Sequence, residues 1–232
     1  MEAVQDINRS NWDDAALLGP TPFIESTAPA VIAFAEKAIA GATDEAERGV
    51  RLFNAVRDEI RYDPYQITLT EHCFRATTPL TDGSAFCIPK SVLLAAAARV
   101  VGIPSALGFA DVKNHLTSER LHEAMGNDLF IYHGYTLLKL DGVWRKASAA
   151  FNLSLCEKFG LKPLAFDGRS DALLHPFDEA GNRHMEYVND RGVFPDVPFE
   201  EISRAFRSHY PKFFEVDRTA GPRFEEETPL KD

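Results

Sequence analysis

The chain has 232 residues, of which 45% are hydrophobic and 26% are charged. This composition excludes a disordered chain. The length suits one large domain or two small ones, which can bury a hydrophobic core without stabilisation by a metal ion or a disulfide. The net charge of −10 disfavours nucleic acids and anionic membranes as partners, because phosphate binding relies on clustered Lys and Arg.

Several sequence patterns bear on the compartment and on metals. No apolar run reaches the roughly 18 residues that span a bilayer, and residues 1–19 are acidic and lack the basic and apolar regions of a secretory signal. Cys73, Cys87 and Cys156 are widely spaced, and the chain has neither a CxxC pair nor an HExxH motif. These patterns predict a cytoplasmic protein with reduced thiols and no metal site, and we expect no cofactor.

The first half of the chain has the apolar spacing of helices. The pattern predicts helices over 29–40, 43–60 and 87–101, with a long loop over 65–82 between the second and the third. The second helix carries apolar residues at steps of three and four. The third is apolar almost all round, which predicts that it is buried.

The apolar pattern then changes to that of strands. Residues 105–112 and 129–140 are rich in residues that favour strands, and Asp141-Gly142 is a strong two-residue hairpin turn before a partner strand over 143–151. Helices followed by an antiparallel sheet predict an α+β domain in which the two are segregated.

The domain organisation follows from these elements. We expect an N-terminal helical segment over 1–42, a core over 43–152, and a C-terminal extension over 153–232 that packs on the same domain. The extension has weak periodicity, and its acidic tail at 225–227 is expected to be solvated.

Cys87 is the strongest candidate for chemistry. It follows Asp82-Gly83-Ser84 at the start of the buried helix, where unpaired N–H groups and the helix dipole favour a thiolate and lower the pKa of the thiol. The same N–H groups are donors for the oxyanion of an acyl transfer. The alternative is that Cys87 is a small apolar residue that covers the helix start.

A nucleophilic thiol needs a base and a group that orients the base. His133 lies within a strand and is the candidate base, although a strand histidine is more often a hydrogen-bonded core residue. On the partner strand, Ser148 and Asn152 have the same parity, so both are expected to face His133 if that strand stays regular. An asparagine accepts an N–H from imidazole as a carboxylate does, and a serine is a weaker partner.

These residues give the chain a family resemblance over roughly 45–152. It resembles the transglutaminase-like superfamily, within the broader papain-like group of cysteine enzymes. The matching pieces are Val56–Tyr62 on the entering helix, Phe86-Cys87 before Leu93–Arg99 and Gly102-Ile103-Pro104, His133-Gly134-Tyr135 on a strand, and Trp144 on the next strand.

The resemblance implies a papain/transglutaminase-like core, with a buried helix carrying the cysteine and an antiparallel sheet carrying the histidine. Cys87 would be the nucleophile and His133 the base. The family usually places an Asp four residues after the Trp, and that position is Ser148 here. Either Asn152 takes the third role, which we favour, or the site is altered and inactive.

Further residues are expected to bind substrate near this site: Asp111, His115, Tyr135 and Phe86. For Asp111 and His115, a structural turn and a surface loop position are the alternatives. The predicted function is a cysteine-dependent enzyme that cleaves or exchanges an amide bond in a peptide, protein or small amide through a thioester. The alternatives are a catalytically inactive binding module and an arylamine-type acyltransferase, and the oligomeric state is left open.

Overall fold

The computed structural model describes residues 13–114, 117–173, 185–215 and 221–230, with helices and strands that follow one another in mixed order. The helices are α1 (Pro29–Ala38), α2 (Glu45–Glu59), α3 (Thr77–Asp82), α4 (Cys87–Val100), α5 (Glu119–Met125), α6 (Leu153–Phe159) and α7 (Phe199–His209). The strands are β1 (Arg61–Tyr62), β2 (Ser84–Ala85), β3 (Ser105–Asn114), β4 (Leu129–Leu140), β5 (Val143–Ala147) and β6 (Met185–Phe194).

A four-stranded antiparallel sheet in the order β5-β4-β3-β6 forms one layer of the fold. The predicted hairpin between β4 and β5 is confirmed: Asp141 and Gly142 have φ angles of 49° and 77°, as a tight turn with two left-handed residues requires. The α+β class is therefore confirmed, with α4 packed on the sheet and Thr136 of β4 donating its hydroxyl to the Ser91 carbonyl at 2.8 Å.

The predicted burial of α4 is confirmed, since nearly all of its side chains are inaccessible to water. Even Lys90 is fully buried, and its ammonium donates to the carbonyls of Arg57 and Ile60 at the end of α2. These carbonyls have no acceptor role within the helix, so the lysine caps α2. Burial lowers the pKa of Lys90 to about 7.

Two elements lie where the sequence predicted only a loop or a helix start. Helix α3 lies within the predicted loop, and Gly83 ends it with a φ of 66°. Residues 84 and 85 then form β2, which pairs in parallel with β1 and brings Tyr62 opposite Ala85, two residues before Cys87. This short pairing positions one wall of the site described below.

The C-terminal third contributes to the sheet as well as to the surface. Strand β6 pairs with β3 from Leu107 to Asn114, which its weak periodicity did not predict. The expectation of a solvated acidic tail is wrong for Glu227, which is 8% exposed. Its carboxylate accepts hydrogen bonds from Tyr65 at 3.0 Å, from Ser118, and from Arg120 at 2.7 Å, so the tail is tied to the domain.

Among the residues that the structure describes, no helix is both long enough and apolar enough to cross a membrane.

Candidate active site

Cys87 is the first residue of α4, and Phe86 precedes it as an extended N-cap. The first N–H groups of a helix have no acceptor within the helix. Here the N–H groups of Cys87 and Ile88 lie close enough to the Cys87 sulfur to lower the pKa of its thiol, and Pro89, the third helical residue, has no N–H. The start of α4 thus directs its free donors at the thiol.

His133 lies on β4, where the strand runs against the first turn of α4. Gly134 allows this approach, because a Cβ at that position would lie 3.1 Å from the Ile88 Cα, tighter than nine in ten real Cβ contacts. The Gly134 N–H also lies close enough to the Cys87 sulfur to lower the pKa of the thiol. A side chain at Gly134 would force the strand or the helix to shift by a few tenths of an ångström.

The two candidate residues line one pocket. Its other described lining residues are apolar or aromatic: Tyr62, Pro64, Ile67, Phe86, Met125, Phe130, Ile131, Met185, Phe206 and Tyr210. Together with Cys87 and His133 they surround about 440 Å³ of empty space, part of which is open to solvent. No Asp, Glu, Lys or Arg is among these lining residues.

The pKa of Cys87 does not follow the sequence expectation. Burial raises the pKa of the thiol to about 11, and the hydrogen bonds from Gly134, Ile88 and its own N–H lower it by less. The expected depression is therefore wrong: no Lys or Arg is among the described lining residues, and desolvation of the thiolate outweighs the helix start. At neutral pH Cys87 is a thiol.

The imidazole of His133 lies against Ser148, whose hydroxyl is 3.4 Å from Nε2. Strand β5 ends at Ala147, and the chain then leaves the sheet as the Ser148 N–H bonds to the Ala172 carbonyl at 2.8 Å. The regular strand on which the choice of Asn152 depended is therefore absent from this part of the structure.

Asn152 has other partners. Its Oδ1 accepts the Tyr62 N–H at 2.9 Å, and its Nδ2 donates to the Ser154 hydroxyl at 2.7 Å. It is also the N-cap residue of α6. Both side-chain groups are thus used to join α6 to β1, and Ser148 takes the place beside His133.

The structure describes three of the four predicted substrate-binding residues, and each of the three has a different place. Phe86 lines the pocket. Tyr135 lies instead in a second apolar cluster with Ala106 and Leu137. Asp111 is 4% exposed and pairs with Arg191, with 2.8 Å between its Oδ2 and the guanidinium. His115 lies outside the described residues.

The sequence analysis missed the aromatic wall of the pocket. Tyr62 entered the sequence analysis only as the last residue of a piece that matches the family, and Tyr210 was not singled out. Both lie near enough to Cys87 that its charge raises their pKa values further, after burial. The Tyr210 hydroxyl accepts the Ile131 N–H at 2.6 Å and donates to the Leu129 carbonyl at 3.0 Å. No local pattern links these distant segments to Cys87.

Within the described parts of the chain, no group of three or more His, Cys, Asp or Glu side chains is arranged to hold a metal ion. Cys73, Cys87 and Cys156 form no disulfide with one another.

Comparison with known proteins gives the family. The model of the transglutaminase-like superfamily matches residues 32–149, just over half of the chain. The protein therefore belongs to the transglutaminase-like superfamily. Among curated proteins, no sequence matches this chain.

Two solved structures are similar to part of the chain. A proposed cysteine protease from Cytophaga hutchinsonii shares 14% identity over 63% of this chain and 45% of its own, with a TM-score of 0.46. A proposed protease from Parabacteroides distasonis shares 21% identity over 61% of this chain and 27% of its own, with a TM-score of 0.41. The chain thus spans less than half the length of either structure.

Proposed function

We propose that the protein is a cysteine hydrolase that cleaves an amide or ester bond through a thioester on Cys87. The observation that carries the proposal is that the Cys87 thiol and the His133 imidazole line one pocket, with the N–H groups of the α4 start directed at the sulfur. Membership of the transglutaminase-like superfamily supports a cysteine enzyme in general terms.

The raised pKa of Cys87 decides the order of the proton steps. Because the resting group is a thiol, His133 takes its proton as the sulfur attacks the carbonyl carbon. The oxyanion that forms is stabilised by the N–H groups of Cys87 and Ile88. The imidazolium then gives the proton to the leaving group, and the thioester remains.

Water completes the cycle. His133 takes a proton from the water as its oxygen attacks the thioester carbonyl, and it returns that proton to the Cys87 sulfur as the acid leaves. An amine acceptor in place of water would give transamidation, and hydrolysis is the outcome that requires no second binding site.

The lining of the pocket supports a neutral, apolar acyl group. Apart from Cys87 and His133, its described lining residues are apolar or aromatic, and none of them is an Asp, Glu, Lys or Arg. Burying a charged group without a partner is costly. We therefore assign the pocket to acyl donors with an apolar side chain next to the scissile carbonyl.

The test uses an activated acyl donor, the p-nitrophenyl ester of N-acetylphenylalanine. We expect release of p-nitrophenolate and an acyl adduct on the peptide that carries Cys87, detected by mass spectrometry. Cys87→Ala removes both, and His133→Ala lowers turnover by about 100-fold or more, as the loss of a general base does. Cys156→Ala is the matched control and keeps the activity.

One rival function has a specific observation in its favour. Ser148 cannot offer the negative charge with which a carboxylate stabilises an imidazolium, so an inactive module that only binds is the second candidate. Absence of turnover and of the Cys87 adduct across apolar and polar esters would establish the module and overturn the hydrolase.

A further inference from the structure

The pairing of β3 with β4 is interrupted directly before His133. The register is regular as far as the pair Ala110–His133, and Asp111 then faces two residues, Ile131 and Tyr132, before pairing resumes. Two residues opposite one define a β-bulge. Tyr132 has a φ of 55°, in the left-handed region that is unfavourable for a bulky side chain.

Side chains satisfy the two N–H groups that the bulge removes from the ladder. The Tyr132 N–H donates to Asp111 Oδ1 at 3.1 Å, and the Ile131 N–H donates to the Tyr210 hydroxyl at 2.6 Å. A buried N–H without a partner is costly. The Asp111 carboxylate therefore holds the unfavourable residue in place.

Asp111 is in turn held by β6. Arg191 Nε lies 2.9 and 3.0 Å from its two oxygens, and the Asn189 amide donates to Oδ2 at 3.2 Å. The Arg191 guanidinium also lies over the Tyr132 ring, 4.7 Å from its centre, and the Tyr132 hydroxyl donates to Glu201. Asp111, Arg191 and Glu201 thus contact the backbone or the side chain of Tyr132, the bulged residue.

The bulge bears on the direction of the imidazole. A shift of register by one residue turns every side chain beyond it to the opposite face of a sheet, and His133 is the residue at which the regular ladder begins again. We propose that Asp111 is a positioning residue, which holds the bulge at Tyr132 and so presents His133 to Cys87. This inference rests on the proposed function of Cys87 and His133.

The variants that test this role have a matched control elsewhere in the chain. Asp111→Asn removes the negative charge to which Arg191 binds. Arg191→Lys keeps the positive charge but loses the bidentate contact with the carboxylate. Glu227→Gln is the control, because the side chains of Glu227 and Arg120 are 6% and 29% exposed against 6% and 33% for Asp111 and Arg191.

Two measurements distinguish positioning from a structural role. The first is the rate at which iodoacetamide alkylates Cys87 at pH 7, followed on its peptide by mass spectrometry. The second is the pH titration of the His133 ring nitrogens by NMR. We expect Asp111→Asn to slow alkylation about tenfold, close to the effect of His133→Ala, and to change the titration. Arg191→Lys gives smaller changes of the same kind, and Glu227→Gln alters neither while lowering the Tm.

The outcomes separate this inference from the proposed function. Positioning by Asp111 is overturned if Asp111→Asn leaves both readouts at the wild-type values, or if Glu227→Gln changes them equally. If His133→Ala itself leaves alkylation unchanged, the proposed function fails, and the His133 titration still decides the role of Asp111. If Asp111→Asn does not fold, Arg191→Lys decides by the same two readouts.

Discussion

Cys87 and Cys156 both lie in helices, and burial raises the pKa of each thiol to about 11. Their surroundings are otherwise different. Cys87 begins α4, where N–H groups donate to its sulfur. Cys156 is in the middle of the short helix α6, and its thiol is directed at the Phe151 carbonyl, 4.0 Å away.

The two thiols therefore have the same pKa, and the groups around them differ. Cys87 shares a pocket with the imidazole of His133 and lies at a helix start, whereas Cys156 is under the influence of charges that include those of Arg57, Asp58 and Lys90. Under the proposed function, the difference in reactivity comes from the base and the donors that act during attack, and not from a resting thiolate.

The largest difference between the two thiols is expected in their selectivity for charge. Iodoacetamide is neutral and iodoacetate is an anion, and both alkylate thiols. For each cysteine, the rate with iodoacetamide is divided by the rate with iodoacetate at pH 8. We expect this ratio to be about tenfold or more higher at Cys87 than at Cys156, because no Lys or Arg is among the described lining residues of the Cys87 pocket to pair with the anion. Peptide mass spectrometry measures both ratios in one sample, and equal ratios would rule out a selective pocket.

A smaller effect is expected at the group that supports the imidazole. Ser148→Asp places a carboxylate beside His133 Nε2, where it stabilises the imidazolium, and we expect ester turnover to rise about tenfold. Asn152→Asp is the matched control, since Asn152 bonds to Tyr62 and Ser154 instead. A gain of turnover in Asn152→Asp and none in Ser148→Asp would show that Asn152 supports the base.

The smallest difference is expected in the pH dependence of the two thiols, because their pKa values are the same. Without a base, in His133→Ala, alkylation of both should rise together, about tenfold for each pH unit, until close to pH 11. A plateau for Cys87 below pH 9 would show a stabilised thiolate and would contradict the raised pKa.

The same shifts set a pH limit on stability. The folded thiols keep their protons up to about pH 11, whereas an ordinary thiol loses its proton near 9.0. The folded state binds more protons in this range. The contribution of the two thiols to the free energy of unfolding is therefore full below pH 9 and falls as the pH rises towards 11. Between pH 8 and pH 10.5, the free energy of unfolding should fall by about 1–3 kcal/mol less in Cys156→Ala than in the wild type, as measured by urea unfolding.

Where the pattern along the chain is strong, the sequence predicted the fold well. The apolar run of α4, the strand over Leu129–Leu140 and the Asp141-Gly142 turn have the expected places. These features are local: the spacing of apolar residues shows which face is buried, and a tight turn needs residues that accept a positive φ. Cys87 and His133 line one pocket, and their roles as nucleophile and base stay a prediction from the family resemblance.

The sequence by itself thus determined the helix that carries Cys87, the strand that carries His133 and the superfamily to which the chain belongs. Only the tertiary structure decided that Ser148 and not Asn152 meets the imidazole, that Asp111 grips the bulge before it, and that burial raises the pKa of Cys87. Each of these depends on contacts between segments far apart in the chain, such as Ser148 with Ala172 or Asp111 with Arg191. A local pattern carries no information on such partners, because hydrogen bonding and desolvation depend on whichever atoms surround a group after folding.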